Sequence, residues 1–140
     1  LSHYEVIKLA KQRNYKNVLI MEDDCEISQE NLYRLNENLG YINNKIEWDM
    51  LYLFCNYYKI GSHIYKDIFN LDYSCSGCIY FIYSSIFDKV LETIELNAKE
   101  RIEEIYCNRV DKYAKLLCIK PCVITTGDFV SDIDRKRIKM

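Results

Sequence analysis

Short, uninterrupted apolar runs constrain the fold of this chain more than any other feature. Asn17–Met21 is one such run, and residues 48–54 and 78–83 contain two more. A strand with both faces buried shows this pattern, because neither face then calls for polar side chains. Helical patterns lie before, between and after these runs. That order predicts an α/β sandwich with a largely parallel sheet.

Capping residues and breaks in periodicity mark the expected helices and loops. Ser2 begins a first helix with a capping pattern, and Ser28 begins a second helix that Gly40 is expected to end. The apolar spacing of residues 101–114 predicts a further helix. The tyrosine-rich residues 55–73 show no clear period, so we expect them to form a loop.

The composition indicates one globular domain. The chain has 140 residues, of which 49% are hydrophobic and 29% are charged, a balance that excludes disorder. Its net charge of −2 provides no basic field for a nucleic-acid partner. The apolar runs are far shorter than the ~20 residues of a membrane-spanning helix. We therefore expect neither nucleic-acid binding nor a transmembrane segment in this chain.

The cysteine content favours a reducing compartment. Seven cysteines is an odd number, and a chain of this length does not need disulfides to fold. Reduced thiols, and with them a cytoplasmic location, are the expectation, although a targeting segment upstream of the first residue stays possible. An alternative is a zinc-stabilised binding module, whose ligands would be Cys75, Cys78, Cys118 and Cys122.

Three consecutive carboxylates follow the first apolar run directly. Glu22, Asp23 and Asp24 stand where a strand ends, and ligands of open α/β sheets bind outside the carboxyl ends of strands. Adjacent acids repel one another unless a cation compensates, and Mg²⁺ or Mn²⁺ does so with oxygen ligands. Because alternate residues of an extended segment point the same way, Glu22 and Asp24 can face one ion. The alternative is an acidic loop that lies favourably before the next helix.

Five segments extend this pattern along nearly the whole chain. In order they are Leu1-Ser2-His3, Val18-Leu19-Ile20-Met21-Glu22-Asp23-Asp24, Trp48-Asp49-Met50-Leu51-Tyr52-Leu53, Ile79-Tyr80-Phe81-Ile82-Tyr83-Ser84, and a stretch from Pro121 that ends Ser131-Asp132-Ile133. Together they resemble glycosyltransferase family 25, which includes lipopolysaccharide and procollagen galactosyltransferases.

The resemblance implies a GT-A-type, Rossmann-like three-layer sandwich with a largely parallel sheet, here without the family's first strand. It implies an inverting transfer of a hexose, galactose or glucose, from a nucleotide-sugar donor such as a UDP-sugar. The acceptor would be a hydroxyl of a glycan, a lipopolysaccharide or a protein. Mn²⁺ or Mg²⁺ would be held by Glu22 and Asp24, since a bound metal neutralises charge on a departing diphosphate.

The resemblance also suggests which side chains bind the donor and the cofactor. They are Ser2, His3, Glu22, Asp23, Ser131 and Asp132. Two of them have simpler interpretations: His3 is a packed residue early in a helix, and Ser131 caps a terminal helix.

An inverting transfer needs a carboxylate that removes the acceptor proton, and the resemblance suggests Glu104 or Glu103. The simpler interpretation of both glutamates is a solvated helix face. Relatives carry a strand and a basic turn upstream of their Leu-Ser-His helix, and neither is in this sequence. A catalytically inactive GT-A remnant or fragment, acting as a binding module, is therefore the alternative function.

Overall fold

The computed structural model describes residues 2–75 and 79–126. The helices within these residues are Ser2–Gln12 (α1), Gln29–Lys45 (α2), Phe87–Leu96 (α3) and Ile102–Asn108 (α4). The strands are Asn17–Met21 (β1), Cys25–Glu26 (β2), Met50–Tyr52 (β3), Tyr57–Tyr65 (β4), Ile68–Cys75 (β5), Ile79–Tyr83 (β6), Leu116–Ile119 (β7) and Thr125–Thr126 (β8). None of the described helices is long and apolar enough to cross a bilayer.

Helix α2 begins where its capping residue predicts. The Ser28 side-chain oxygen accepts a hydrogen bond from the Asn31 backbone N–H at 3.1 Å, which satisfies one of the free donors of the first turn. The helix does not end at Gly40, as expected, but continues to Lys45. Leu35 and Ile42 are buried on either side of the glycine along the chain. Burial of this apolar face outweighs the cost of about 1 kcal/mol that a glycine imposes on a helix.

Six strands form the main sheet, in the order β1-β6-β3-β7-β5-β4, and the fold is mixed α/β. Of the described strand pairs in this sheet, β3 with β7 is parallel and all others are antiparallel. The prediction of a largely parallel sheet is therefore wrong. Its first and second apolar runs, β1 and β3, do run in the same direction, but β6 lies between them and opposes both.

The reversal of β6 follows from where the chain re-enters the sheet. Ile79 lies opposite Met21 at the carboxyl end of β1, and its carbonyl accepts the N–H of Leu53, just beyond β3. The chain thus leaves β3 and returns as β6 at the same edge, whereas a parallel neighbour needs a crossover to the opposite edge.

A hairpin of β4 and β5 occupies most of the segment that the sequence analysis interpreted as a loop, and that interpretation is wrong. Its pairing shifts register after Lys59, Ile60 and His63. Each shift moves the following side chains relative to the two faces, so no continuous period of two survives in the sequence.

Helices cover both faces of the sheet, and the two faces differ in chemistry. Helices α1, α3 and α4 cover what we call the polar face, where Tyr52 and Tyr80 are buried among apolar side chains. Helix α2 covers the apolar face, which buries residues such as Leu51 and Leu117. The assignment alternates strictly along β3 and β6, as pleated strands require.

Strand β1 is an outermost strand of the sheet rather than a central one. Of its residues Ile20 is buried, while Leu19 and Met21 are exposed. The continuous apolar run therefore predicted the strand but not its burial on both faces.

The helix predicted over residues 101–114 is shorter than expected, because α4 ends at Asn108 and a 3-10 turn, Val110–Lys112, follows it.

Candidate functional site

The acidic turn, which we define as Glu22, Asp23 and Asp24, lies directly after β1. Glu22 and Asp24 are half-buried and Asp23 is exposed, so the first and third carboxylates share an environment that the second does not. Strands β3 and β7 run in the direction of β1 and end at the same edge of the sheet. The turn thus stands at the edge where an α/β sheet usually binds its ligands.

The C-terminal part of the described chain returns to this turn. Strand β2, which begins right after Asp24, pairs antiparallel with β8. Cys25 lies opposite Thr126, and Glu26 lies opposite Thr125. Ser131 and Asp132, the predicted donor-binding residues of the C-terminal stretch, lie outside the described residues.

A chain of polar side chains connects the acidic turn with the interior. His3 Nε2 is 3.8 Å from Glu22 Oε1, and His3 Nδ1 is 2.8 Å from the hydroxyl of Tyr80. The Tyr80 hydroxyl is in turn 2.5 Å from the hydroxyl of Tyr106, which lies on α4. Two of the predicted site residues, His3 and Glu22, are therefore neighbours in the fold, one at the start of α1 and the other just after β1.

When Glu22 is ionised, one arrangement of protons gives every contact in this row of polar side chains a donor and an acceptor. Tyr106 donates to the Tyr80 oxygen, Tyr80 donates to His3 Nδ1, and His3 Nε2–H points toward the Glu22 carboxylate. This assignment follows from donor and acceptor capacity, because a carboxylate only accepts. His3 is 8% exposed and its ring stacks on Tyr80, so the imidazole is held in place on two sides. Both the packed and the ligand-contacting interpretations of His3 fit this position.

Burial keeps the three fully buried phenols described on the polar face, Tyr52, Tyr80 and Tyr106, in their protonated form. It raises the pKa of Tyr52 and of Tyr80 well above the ordinary value, and nearby phenols and carboxylates raise them further. Burial also raises the pKa of Tyr106, while its hydrogen bond with Tyr80 works in the opposite direction. Protonated phenols donate one hydrogen bond each, which is what the chain from Tyr106 to Glu22 uses.

A second polar cluster lies on the same face and is incompletely satisfied. Asp111 Oδ2 accepts the backbone N–H of Ser74 at 2.7 Å. The other carboxylate oxygen of Asp111, the Ser74 hydroxyl and the Tyr52 hydroxyl are buried without a hydrogen bond of good geometry. Burial raises the pKa of Asp111 to about 6, and the hydrogen bond from Ser74 together with the nearby Tyr52 hydroxyl only partly offsets this. Such a carboxyl changes its charge close to neutral pH.

The two candidate bases lie on the first turn of α4. Glu104 Oε2 accepts the backbone N–H of Arg101, the residue before α4, at 3.3 Å, and the Glu104 side chain is exposed. Glu103 is half-buried. Among the described residues no hydrogen bond or ion pair joins either glutamate to the acidic turn. Ser2, the remaining predicted donor contact, is exposed at the start of α1 beside His3.

The structure describes three of the four proposed zinc ligands, since Cys78 lies outside the described residues. Cys118 is buried on β7, and Cys122 accepts a hydrogen bond from Lys120 Nζ at 3.0 Å. In the part of the chain that the structure describes, no three His, Cys, Asp or Glu side chains are grouped as metal ligands. A zinc site therefore has no support from the described residues.

An open cleft of about 590 Å³ lies at the opposite, amino edge of the sheet. Residues that line it include Lys16, Trp48, Asp49, Tyr83 and Lys115. Asp49 has no free carboxylate oxygen there, because Oδ1 accepts the Ser85 hydroxyl at 2.7 Å and Oδ2 accepts the Lys115 N–H at 2.8 Å. The aspartate after Trp48 thus ties the starts of three elements together, a structural role that a single sequence segment does not reveal.

Sequence reasoning missed Tyr80, Tyr106 and Asp111. The abundance of tyrosine had an explanation in biased composition, so no single tyrosine stood out. The one available signal was the position of Tyr80 in the middle of an apolar run, since a buried phenol needs a partner. Asp111 gave no signal, because it lies in what looked like a solvated helix.

Comparison with models of known protein families and with characterised proteins finds no match for this chain. The resemblance to glycosyltransferase family 25 therefore rests on the five sequence segments alone.

Proposed function

We propose that this protein is a metal-dependent, inverting glycosyltransferase that moves a hexose from a UDP-sugar to a hydroxyl of a glycan, a lipopolysaccharide or a protein. The observation that carries the proposal is the contact of His3 with Glu22 beside Asp24, at the edge where β1, β3 and β7 end. His3 and Glu22, which come from two of the segments that carry the family resemblance, are neighbours at a position suited to a ligand.

The acidic turn offers carboxylate ligands of the kind that a hard divalent cation takes, although in the described part of the chain no third His, Cys, Asp or Glu side chain is grouped with two of them as a metal ligand. Glu22 and Asp24 are half-exposed and offer carboxylate oxygens. Mg²⁺ and Mn²⁺ prefer oxygen ligands over nitrogen and sulfur. No lysine or arginine among the described residues forms an ion pair with the turn, so the negative charge is left for an external cation. Such a cation, when bound, neutralises the charge of a diphosphate leaving group.

His3 acts on the turn through its second nitrogen. Its ring is fixed by the hydrogen bond to Tyr80, so Nε2 is presented to Glu22 at a constant position. A carboxylate that already contacts a fixed side chain loses little conformational freedom when it binds a ligand. His3 is accordingly a positioning residue for Glu22 in this proposal.

The finer fold assignment is also a proposal. Helices on both faces of a six-stranded sheet, and an acidic turn at a carboxyl edge, support a GT-A-type arrangement in which β5 and β6 are reversed. Free thiols at Cys55, Cys75, Cys107, Cys118 and Cys122 are consistent with the cytoplasmic location that the cysteine content predicts.

The proposal is tested by hydrolysis and transfer assays with a panel of UDP-hexoses, in Mn²⁺ and after chelation. Asp24→Asn removes one carboxylate charge but conserves shape, and we expect it to lower turnover about 100-fold or more. The matched control is Asp88→Asn on α3, an exposed aspartate that pairs with Lys11. Circular dichroism and thermal unfolding establish that both variants fold.

Unchanged turnover in Asp24→Asn, with Asp88→Asn also unchanged, would show that the acidic turn holds no catalytic metal. The absence of both turnover and donor binding in the folded wild-type chain would instead support the inactive remnant. Glu104 and Glu103 stay the proposed bases, and Glu104 would have to leave its helix-capping bond to accept a proton.

A further inference from the structure

The cleft at the amino edge of the sheet lies apart from the acidic turn, and the proposed transfer does not use it. Residues at the starts of β1, β3 and β7 and at the end of β6 line it, whereas the acidic turn lies at the opposite, carboxyl edge. Its volume of about 590 Å³ is within the range of about 300–1,000 Å³ that small-molecule sites occupy. The cleft is therefore large enough for a ligand of its own.

Backbone hydrogen bonds hold the walls of the cleft in fixed positions. The Tyr83 N–H donates to the Asp49 carbonyl at 2.8 Å, and the Asp49 N–H donates to the Lys115 carbonyl at 2.9 Å. The Ser84 N–H donates to the Lys16 carbonyl at 2.8 Å. Because the segments around the cleft are joined to one another in this way, a ligand that enters does not have to order them.

Two aromatic side chains form most of the apolar part of the cleft. Trp48 and Tyr83 pack edge to face, with ring centroids 5.4 Å apart, and Ile46, which directly follows α2, also lines the cleft. Trp48 is 7% exposed and belongs to the core of the apolar face, so its ring is held in place. A rigid aromatic surface of this kind favours a ligand with a planar, apolar ring.

The two carboxylates that line the cleft already have partners within the protein. Asp49 accepts hydrogen bonds through both oxygens, from the Ser85 hydroxyl and from the Lys115 N–H. Glu47 Oε2 is 2.6 Å from Lys115 Nζ, and this hydrogen bond lowers the pKa of the Glu47 carboxyl. A cationic ligand would therefore compete with groups of the protein itself.

The donors of the cleft differ from its carboxylates, because they have no partner in the described part of the chain. Lys16 forms no ion pair with any described residue. No described residue accepts a hydrogen bond from the side chains of Asn17, Asn43 or Trp48. Lys16 and Asn17 are exposed, so a ligand can reach both from solvent. One ammonium and several N–H donors match a ligand with negative charge and several acceptor oxygens.

We propose that this cleft is a second ligand site, which binds a small aromatic anion, either a carboxylate or a phosphate ester. The ring lies against Trp48 and Tyr83, and the anionic group faces Lys16 and Asn17. The site does not depend on the proposed glycosyl transfer, because it shares no residue with the acidic turn.

The experiment follows Trp48 by NMR. Trp48 is the single tryptophan of the chain, so its indole N–H gives one resonance that reports on the cleft. Benzoate, phenyl phosphate and benzamide, the uncharged counterpart of benzoate, are titrated into the folded full chain at low ionic strength. We expect the anions to shift this resonance saturably and benzamide to bind about 5-fold or more weakly. The amides of Glu22 and Asp24 should not shift, since the acidic turn repels anions.

A charge-removing variant tests the role of the ammonium. Lys16→Gln should weaken the binding of the anions about 3- to 10-fold and leave benzamide binding unchanged. The matched control is Lys99→Gln, which changes an exposed lysine in the turn after α3 that also forms no ion pair with a described residue. This control should bind all three compounds as the wild type does. Added salt should weaken the anions more than benzamide.

Three results would overturn the proposal. The first is the absence of a saturable Trp48 shift with either anion at millimolar concentrations in the folded wild type. The second is equal binding of benzamide and the anions, or an equal loss in Lys16→Gln and Lys99→Gln. The third is a shift at the acidic turn in place of the cleft. Binding of only one anion would support the site and identify the acidic group that it takes.

Discussion

The two faces of the central sheet are built from the same strands but contain different chemistry. On the polar face Tyr52 lies between Tyr80 and Cys118 in neighbouring strands. One residue earlier, on the apolar face, Leu51 lies between Phe81 and Leu117. The two rows share the same strands and register, and their residues are buried except for the half-buried Phe81. The difference therefore reports what the side chains of the polar face do beyond filling the core.

The apolar row is sufficient for stability. Burial of a side chain such as leucine contributes about 1.5–3 kcal/mol without any polar partner. A phenol on the other face must find a hydrogen bond or incur a cost of about 1–3 kcal/mol for its buried hydroxyl. The Tyr80 hydroxyl has two partners, whereas that of Tyr52 has none of good geometry. A polar core that is costly to maintain, and that reaches the acidic turn through His3, indicates selection for a site.

The largest effect is expected on the apolar face. Leu51→Ala leaves a cavity between Phe81 and Leu117, and it should lower the free energy of unfolding by about 2–5 kcal/mol. Chemical denaturation measures this loss. Binding of Mn²⁺ or a UDP-hexose per folded molecule should not change, because this face does not reach the acidic turn. If Leu51→Ala kept its stability but lost ligand binding, the assignment of stability to the apolar face and of ligand binding to the polar face would be wrong.

On the polar face, Tyr80→Phe keeps the ring and removes the hydroxyl between His3 and Tyr106. Both partners lose a buried hydrogen bond, so we expect a loss of about 1–3 kcal/mol in the free energy of unfolding. A double-mutant cycle with Tyr106→Phe should be strongly non-additive, since the two changes remove the same bond. Additive losses would mean that the two hydroxyls do not bond each other. Ligand binding at the acidic turn should weaken here, in contrast to Leu51→Ala.

A smaller effect, visible mainly as a pH dependence, is expected at Asp111. Because its pKa is raised from 3.8 to about 6 in the fold, the native state favours the protonated form. That contribution to stability is complete below about pH 4 and is lost as the pH rises through about 6. Asp111→Asn keeps an acceptor for the Ser74 N–H but carries no charge. At pH 7 it should be more stable than the wild type by about 1–2 kcal/mol, an advantage that disappears by about pH 4.

The control for this pH window is Asp72→Asn, which removes an aspartate on β5 that pairs with Lys59 at the surface. Denaturation curves at several pH values between about 4 and 7 give the difference between each variant and the wild type. A stability difference for Asp111→Asn that does not vary with pH would contradict the raised pKa of Asp111. If the stability difference of Asp72→Asn varied with pH in the same way, the effect would come from the change in net charge instead.

Sequence patterns that act locally were sufficient for part of this fold. The continuous apolar run fixed the bounds of β1, and the Ser28 hydroxyl fixed the start of α2, since both depend on a few adjacent residues. Strand direction depends on where the chain re-enters the sheet, which no local pattern reports. The direction of β6 and the β4–β5 hairpin with its register shifts were missed for that reason.

The candidate site also has a part that local sequence patterns predict and a part that they do not. The acidic turn was predictable because three carboxylates follow a strand without interruption. The bonds of His3 with Tyr80 and of Tyr80 with Tyr106 connect residues that are distant along the chain, and only the packing of α1 and α4 on one face brings them together. The raised pKa of Asp111 was not predictable for the same reason, because it results from burial beside Ser74 of β5 and Tyr52 of β3, which are distant in sequence.

A divalent-cation site at the acidic turn, supported by the polar face, can be tested directly by paramagnetic broadening of backbone amide resonances when Mn²⁺ is titrated into isotope-labelled protein. We expect early broadening at Glu22, Asp24 and His3, no early broadening at Asp49 in the cleft of the opposite edge, and loss of the effect in Asp24→Asn. Broadening centred on Asp49, or equal broadening in Asp24→Asn and the wild type, would contradict it.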